Sequence, residues 1–458
     1  MRRSPDVAAP GSGLSYRIRR MSDFRCRRKP RRLRMKKALI VAAALAVLGI
    51  GSLYAAGGKD AGAAAGGKVK LTVWGRDLGD GEPDHAYVTA LVKNFAAANP
   101  DIELDYIALG DPGLADKTKI AMAAGTGPDI FQSWGGSVMG GYADANRLLD
   151  LTAELKDVPG SAAASGAMSW KGKTYGVAPF FAIAGLYVNE GLFKANGLAV
   201  PKTIDELEKA CDVFVAKNIQ PFACGAKDKW PPLATYMYLT NRFGGDAFGS
   251  AQSRAGRFDA DPFAKAAAKI QDWMKKGYFG PTPLGEAYGD AQQLMATGKA
   301  AMQVTGSWMC GQFSSKEFTD QTIGLYPFPV QAGGIGKETD VMGMTDIGFV
   351  ATKLAEGKKA AVVRFLKYAM SAEAGAAEPG RISSVPGVKA PSKLTEMGAA
   401  IFGKAKMVQF WWDQDLPPNV TSPLNDTIQT FFLPQTDVKA SLTSFEKLAE
   451  EAMGPAKK

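Results

Sequence analysis

Two hydrophobic rhythms alternate along the chain between residues 69 and 131. Val69-Lys-Leu-Thr-Val-Trp74 reads as a strand that opens into a polar, glycine-rich loop. Val88, Leu91, Val92 and Phe95 recur at helical spacing, so residues 86–98 read as an amphipathic helix. Asn99-Pro100-Asp101 ends it, because proline cannot continue a helix. Ile102-Glu-Leu-Asp-Tyr-Ile107 alternates apolar and polar residues over most of its length, the habit of a half-buried strand. A second helix is predicted over 114–124, stopping at Gly125, and Pro128-Asp-Ile-Phe131 starts another strand. The unit is β-α-β-α-β, the beginning of a doubly wound sheet. Such sheets bind ligands at the carboxyl ends of their strands.

The later pattern predicts a short helix within Tyr142–Leu151 and a crossing segment at Tyr175–Phe180. A strand at Gly185–Asn189 and a short helix follow. Thr203 with Glu206 three residues on makes a capping box for a helix over 203–217. Further helices are expected at 231–242, 262–276, 287–297, 358–370, 423–432 and 436–452. Gly298–Trp308 reads as a strand ending in a loop, Ile323–Pro329 as a second crossing strand, and Gly348–Thr352 as a strand of the first unit. The chain has no internal repeat.

Composition adds little except at the amino end. Of 458 residues, 46% are hydrophobic and 22% charged, ordinary values for a globular protein. The net charge of +10 points toward nucleic acid until it is located. Residues 1–34 hold 12 of the bases and two acids, and the remainder is balanced at 43 of each. That basic segment has no periodicity and is expected to stay disordered. It is either a basic tail or sequence upstream of the true start, Met35. The second reading is favoured because Met35-Lys-Lys opens a complete signal peptide, with an apolar stretch from Ala38 to Ile50 and small residues up to Gly58. Residues 35–56 are therefore the expected signal and 57–67 a flexible linker, which places the mature protein in the periplasm or outside the cell. Cys211 and Cys224 fall at one height on neighbouring elements. An oxidising compartment would permit a bond, and two buried thiols is the alternative.

Several motifs carry a family likeness: a strand ending at Trp74, a helix ending Phe95-x-x-x-Asn99-Pro100, and Gly125-Thr-Gly-Pro-Asp129. Leu192-Phe-x-x-x-Gly197-Leu198, Pro201-x-Thr203-x-x-Glu206-Leu207 and Gly298-Lys-Ala-Ala-Met302 leading to Gly306-Ser-Trp308 extend it. Over nearly all of 68–458 the chain resembles the extracellular solute-binding proteins of bacterial ABC sugar importers, family 1, the maltose type. The resemblance implies an α/β, two-lobe periplasmic binding protein fold with discontinuous lobes, three hinge crossings and a ligand cleft. One lobe would hold 68–178 and 328–371, the other 179–327 and 372–458. The implied partners are a carbohydrate, more in keeping with an oligosaccharide than a monosaccharide, and a membrane permease. A monomer without cofactor, metal or nucleic acid is expected.

Sugars present rings with apolar faces and hydroxyl rims, so their sites combine aromatic rings with carboxylates, amides or bases. Trp74, Trp134, Trp230, Trp308, Trp411 and Trp412 all fall at strand ends or in loops, whereas Trp170 and Trp273 do not. The resemblance puts Trp134, Trp230, Trp308 and one of Trp411 or Trp412 in the cleft. Arg76, Asp77 and Glu82 follow the first strand, and Asp413 adjoins a stacking ring. Asp346, Lys227, Phe180 in the crossing segment and Ser307 beside Trp308 complete the candidate set. The only histidine, His85, has no partner for a triad or a metal. Two carboxylates suffice for a glycoside hydrolase, so that enzyme remains an alternative, as does a binding protein for a non-sugar solute.

Overall fold

The computed structural model describes residues 16–20, 67–76, 83–110, 113–158, 166–318, 322–343, 345–377 and 380–457. Twelve strands frame the site. They are β1 (Tyr16–Arg20), β2 (Val69–Arg76), β3 (Ile102–Leu109), β4 (Ile130–Ser133), β5 (Gly176–Val177), β6 (Ala184–Asn189) and β7 (Gln220–Phe222). After these come β8 (Ala300–Gly306), β9 (Ile323–Tyr326), β10 (Asp340–Met342), β11 (Gly348–Ala351) and β12 (Met407–Gln409). The first sheet has the order β1-β3-β2-β4-β11-β5 and the second β7-β8-β6-β9, with β10 and β12 paired separately.

In the first sheet β3 and β4 flank β2 in parallel, while β11 runs antiparallel to β4. The helical stripe foreseen in the sequence is the face of helix Pro83–Ala98 that seals this sheet. Val88, Leu91, Val92 and Phe95 are each at most 1% exposed, and they share a core with Leu71, Val73, Phe365 and Leu366. Asp129 of the Gly-Thr-Gly-Pro-Asp motif is structural. Its carboxylate accepts from Thr72 N at 2.8 Å and from Lys358 Nζ at 2.9 Å, tying β2 to the turn before helix Lys359–Ala369. The second lobe builds its core around Trp273, Trp412, Tyr236 and Tyr238. The Thr203–Glu206 capping box forms as the sequence predicts, with both reciprocal bonds present.

Four expectations shift. Residues 16–20, expected to be disordered, form β1 on the outer edge of β3, where an open edge of unpaired N–H and C=O groups takes up an extended segment. The helix expected within 142–151 is instead Gly136–Asp144, whose glycine-rich start hid its period, and Leu148 bridges to Thr352. The helix expected from 423 begins at Pro418, since proline is tolerated in a first turn. The crossings also fall later than expected. Phe328 stays in the second core, stacked on Tyr238 at 4.9 Å, because Arg242 donates to the carbonyls of Phe328 and Pro329. The chain reaches the first sheet only over Gly343–Ile347, and Ala374 still packs in the first core. The first two crossings are therefore 178–183 and 343–347, and the third begins at 380 and runs past Val385 and Val388, which still pack on the first core. Phe180–Phe181 pairs with Ile382–Ser383 among them, and Ile183 bridges to Gly343.

Candidate functional site

Strand β8 is buried along its whole length and ends at Gly306, after which the chain makes one tight turn through Ser307–Met309. Ser307 anchors that turn to a crossing segment. Its backbone N donates to Ile183 O at 2.7 Å, and its Oγ accepts from Ile183 N at 3.1 Å. Trp308 then folds back over Gly306. A Cβ at position 306 would lie 2.1 Å from the indole, so only glycine leaves room for the ring.

Trp308 is held in that pose from three sides. Its Nε1 donates to Tyr288 Oη at 2.9 Å, and Tyr288 Oη is 2.7 Å from Thr305 Oγ1. Trp230 meets it edge-on at 5.8 Å and lies tilted against Tyr288 at 4.6 Å, and the Trp411 ring lies 5.4 Å from Trp308. Trp230, Tyr288 and Trp308 are half-buried and Trp411 is buried. The loop carrying Trp230 is clamped by main-chain contacts. Glu286 accepts from Cys224 N and Gly225 N, and Asp228 accepts from Tyr288 N at 2.8 Å. Burial pushes the Glu286 carboxyl above its ordinary range, partly offset by those two N–H donors. Burial likewise pushes the Tyr288 phenol up to about 12, so it stays a neutral hydrogen-bonding group. Tyr288 was not foreseen. It opens helix Tyr288–Ala296, and an aromatic at the start of a helix gives no sign of facing a cleft.

The first lobe carries its own aromatic pair at strand ends. Trp74 at the end of β2 and Trp134 just past β4 are both half-buried and pack on Leu109, Leu114 and Ile347. Arg76 N donates to Gln132 Oε1 at 2.6 Å, and its side chain is half-buried. Asp77 and Glu82 lie outside the described residues. The lobes meet directly at the start of helix Gly136–Asp144, where Ser137 Oγ donates to the carbonyls of Gln414 (2.8 Å) and Leu416. Phe410 packs on both cores.

Other sequence candidates serve the fold. Trp412 is fully buried, stacked on Phe248 at 4.4 Å with its Nε1 donating to Gln409, so of the adjacent tryptophans only Trp411 belongs to the platform. Phe180 is buried edge-on to Tyr87 at 5.0 Å beneath the Arg381 guanidinium. Asp346 is ion-paired with Arg381 at 3.0 Å, both almost wholly buried in the crossing region. These are hinge residues, as is Ser307. Lys227 is exposed, and its backbone N donates to Glu286 O. Cys211, Cys224 and Cys310 are buried free thiols, so the bond the compartment would permit is not formed. Among the described residues no group of three or more His, Cys, Asp or Glu could hold a metal, and no helix is long and apolar enough to cross a membrane.

A two-lobe frame with an aromatic floor at a strand end invites comparison with known proteins. The sequence profile of the bacterial extracellular solute-binding proteins matches residues 79–376, well over half of the chain. The chain belongs to that family. This solute-binding protein is 26% identical over 311 residues to a multiple sugar-binding protein of Streptococcus mutans, covering 63% of this chain and 69% of that one. It is 25% identical to a maltotriose-binding protein of Pyrococcus abyssi, covering 57% of this chain and 54% of that one, about half its length. Among solved structures, a chitin oligosaccharide binding protein superposes with a TM-score of 0.75 at 27% identity, over 84% of this chain and 99% of its own. A maltose/maltodextrin-binding domain of Bdellovibrio bacteriovorus, bound to maltotriose, has a TM-score of 0.67 at 18% identity over 84% of this chain and 100% of its own. At that identity it speaks for the fold alone.

Proposed function

We propose that this solute-binding protein captures an oligosaccharide between its lobes and hands it, chemically unaltered, to a membrane permease. The observation that carries the reading is the platform of Trp230, Tyr288, Trp308 and Trp411 at the carboxyl end of β8. Tilted aromatic rings present apolar faces to the apolar faces of sugar rings, and the hydroxyls turn to polar groups at the rim. The relatives named for sugars, and the neighbour named for chitin oligosaccharides, support the same class of ligand. Glu286, two residues before Tyr288 in the chain, accepts from two backbone N–H groups, a structural use of that carboxylate. Sugar on the platform would recruit the first-lobe edge at Trp74, Arg76 and Trp134. The ligand would thereby favour the closed arrangement by its extra contacts there. The protein would act as a secreted monomer, exported by the signal at residues 35–56, whose removal would take β1 with it and leave the outer edge of β3 open.

A thermal-shift screen of the protein against mono-, di- and trisaccharides tests this. A sugar at about 100 times its dissociation constant adds ~2.7 kcal/mol of stability, an upward shift of several degrees. A shift with a few related sugars, recovered intact by chromatography, is expected. No shift with any sugar, or recovery of cleaved sugar, would overturn the reading.

A further inference from the structure

The two lobes touch outside the crossings where helix Gly136–Asp144 of the first starts against the one-turn helix Trp412–Asp415 of the second. Met139 roots the first helix in one core and Trp412 roots the second in the other. The last carbonyls of a helix have no partner within it. Ser137 supplies one from across the junction. Its Oγ donates to Gln414 O at 2.8 Å and to Leu416 O, and the residue is only 7% exposed. The amino end of one helix thus faces the carboxyl end of the other, the favourable order for their dipoles. The backbone is fitted to this contact. Gly136 has φ 63°, and a Cβ there would lie 2.6 Å from both Gln414 O and Phe410 Cε1. Phe410 itself packs on both cores. Every group in the contact belongs to the chain, so none of it waits for a solute.

We propose that Ser137, seated by Gly136, is a latch that holds the lobes together before any solute binds. This rests on the reading of a protein that closes around its solute, and it names what sets the resting balance between open and closed. Parting the lobes breaks the Ser137 bond and draws Phe410 away from one of its two cores. A closed form already populated lowers the cost of binding, because the apparent dissociation constant is the intrinsic one divided by the closed share. Ser137 and Gly136 act through the position of the lobes and not through the solute. They therefore tune affinity for every solute alike. One hydroxyl shared by two carbonyls is weak enough to release, and its loss shifts the ratio of closed to open by roughly 2- to 10-fold.

Small-angle X-ray scattering of the ligand-free chain tests the latch, with the wild type beside Ser137→Ala and Gly136→Ala. Ser137→Ala removes one oxygen. Gly136→Ala keeps the hydroxyl and wedges a methyl into the contact. Both are expected to raise the radius of gyration above the wild-type value. Calorimetric titration with maltotriose, chitotriose and xylotriose should then show one common loss of affinity in Ser137→Ala, at most roughly tenfold, for each sugar the wild type binds. Melting curves check that each variant is folded. Ser137→Ala leaves the backbone untouched, so it decides the matter even where Gly136→Ala fails to fold. An unchanged radius in folded Ser137→Ala would overturn the latch. So would an affinity loss confined to one sugar, the mark of a direct solute contact. Scattering needs no sugar, so a wild type that binds none of the three would sink the carbohydrate reading while the radius still decides the latch.

Discussion

Replacing Gly306 by alanine separates the platform from the fold. Gly306 has φ −82° and ψ 161°, extended angles that any residue adopts, so the backbone accepts the change. The side chain does not fit. Its Cβ would lie 2.1, 2.3 and 2.4 Å from Cζ3, Cη2 and Cε3 of Trp308, far inside contact distance, and the indole has to swing away. Leaving its pose breaks the 2.9 Å bond to Tyr288, about 1 kcal/mol. It also forfeits the ring contacts with Trp230 and Trp411, about 0.5–1.5 kcal/mol each. Lower entropy of the unfolded chain returns about 0.4–1 kcal/mol. The net loss is about 1–3 kcal/mol, which a protein of this size survives. Sugar affinity should fall at least tenfold, about 1.4 kcal/mol, because the central ring of the floor is gone. Urea unfolding followed by calorimetric titration of the same sample measures both. A folded Gly306→Ala protein that binds sugar within twofold of the wild type would refute the reasoning that Trp308, in this pose, makes the site.

Three further outcomes follow from neighbouring residues. Trp412→Ala should cost about 3–5 kcal/mol in urea unfolding, as expected for an indole removed from a core and not from a cleft. Burial raises the Asp413 carboxyl to about 6, above its ordinary value, so its protonated form is the one the folded state favours. The folded protein then holds more protons than the unfolded chain between about pH 4 and 6, and stability falls as pH rises through that window. Asp413→Asn should remove the fall and leave the variant more stable at pH 7 by up to about 3 kcal/mol, read from unfolding curves at pH 4 and 7. Arg381→Met strips the partner from buried Asp346 and should cost about 3–5 kcal/mol, with Asp346→Asn in the same chain restoring part of it.

What could be read from the sequence was whatever depends on local pattern. The stripe Val88, Leu91, Val92, Phe95 and the Thr203–Glu206 cap each rest on contacts a few residues apart, and both appear where expected. Trp308 was legible because Gly306 and the buried strand before it are part of one short motif. The choice between Trp411 and Trp412 was not. Adjacent residues at the start of a short helix point to different surroundings, and only Phe248 and Gln409, more than 160 residues away and three residues away, show which one turns inward. Tyr288 was hidden for a similar reason, since Thr305 and Trp308 reach it from another element. The prolines at 327 and 329 looked like an exit from the second lobe, yet the buried Arg242 holds that stretch in place by its carbonyls. Asp346 and Arg381 are 35 positions apart in sequence, and their pairing shows only when the crossings lie side by side.

The central claim is that the aromatic floor beside β8 binds sugar without altering it. Its most direct test is calorimetric titration of the protein with maltotriose, chitotriose and xylotriose, with the sugar recovered afterwards. Saturable binding of one sugar per chain and quantitative recovery of intact trisaccharide are what the account predicts. Absence of heat and of any saturable signal with all three, or recovery of shortened sugars, would contradict it.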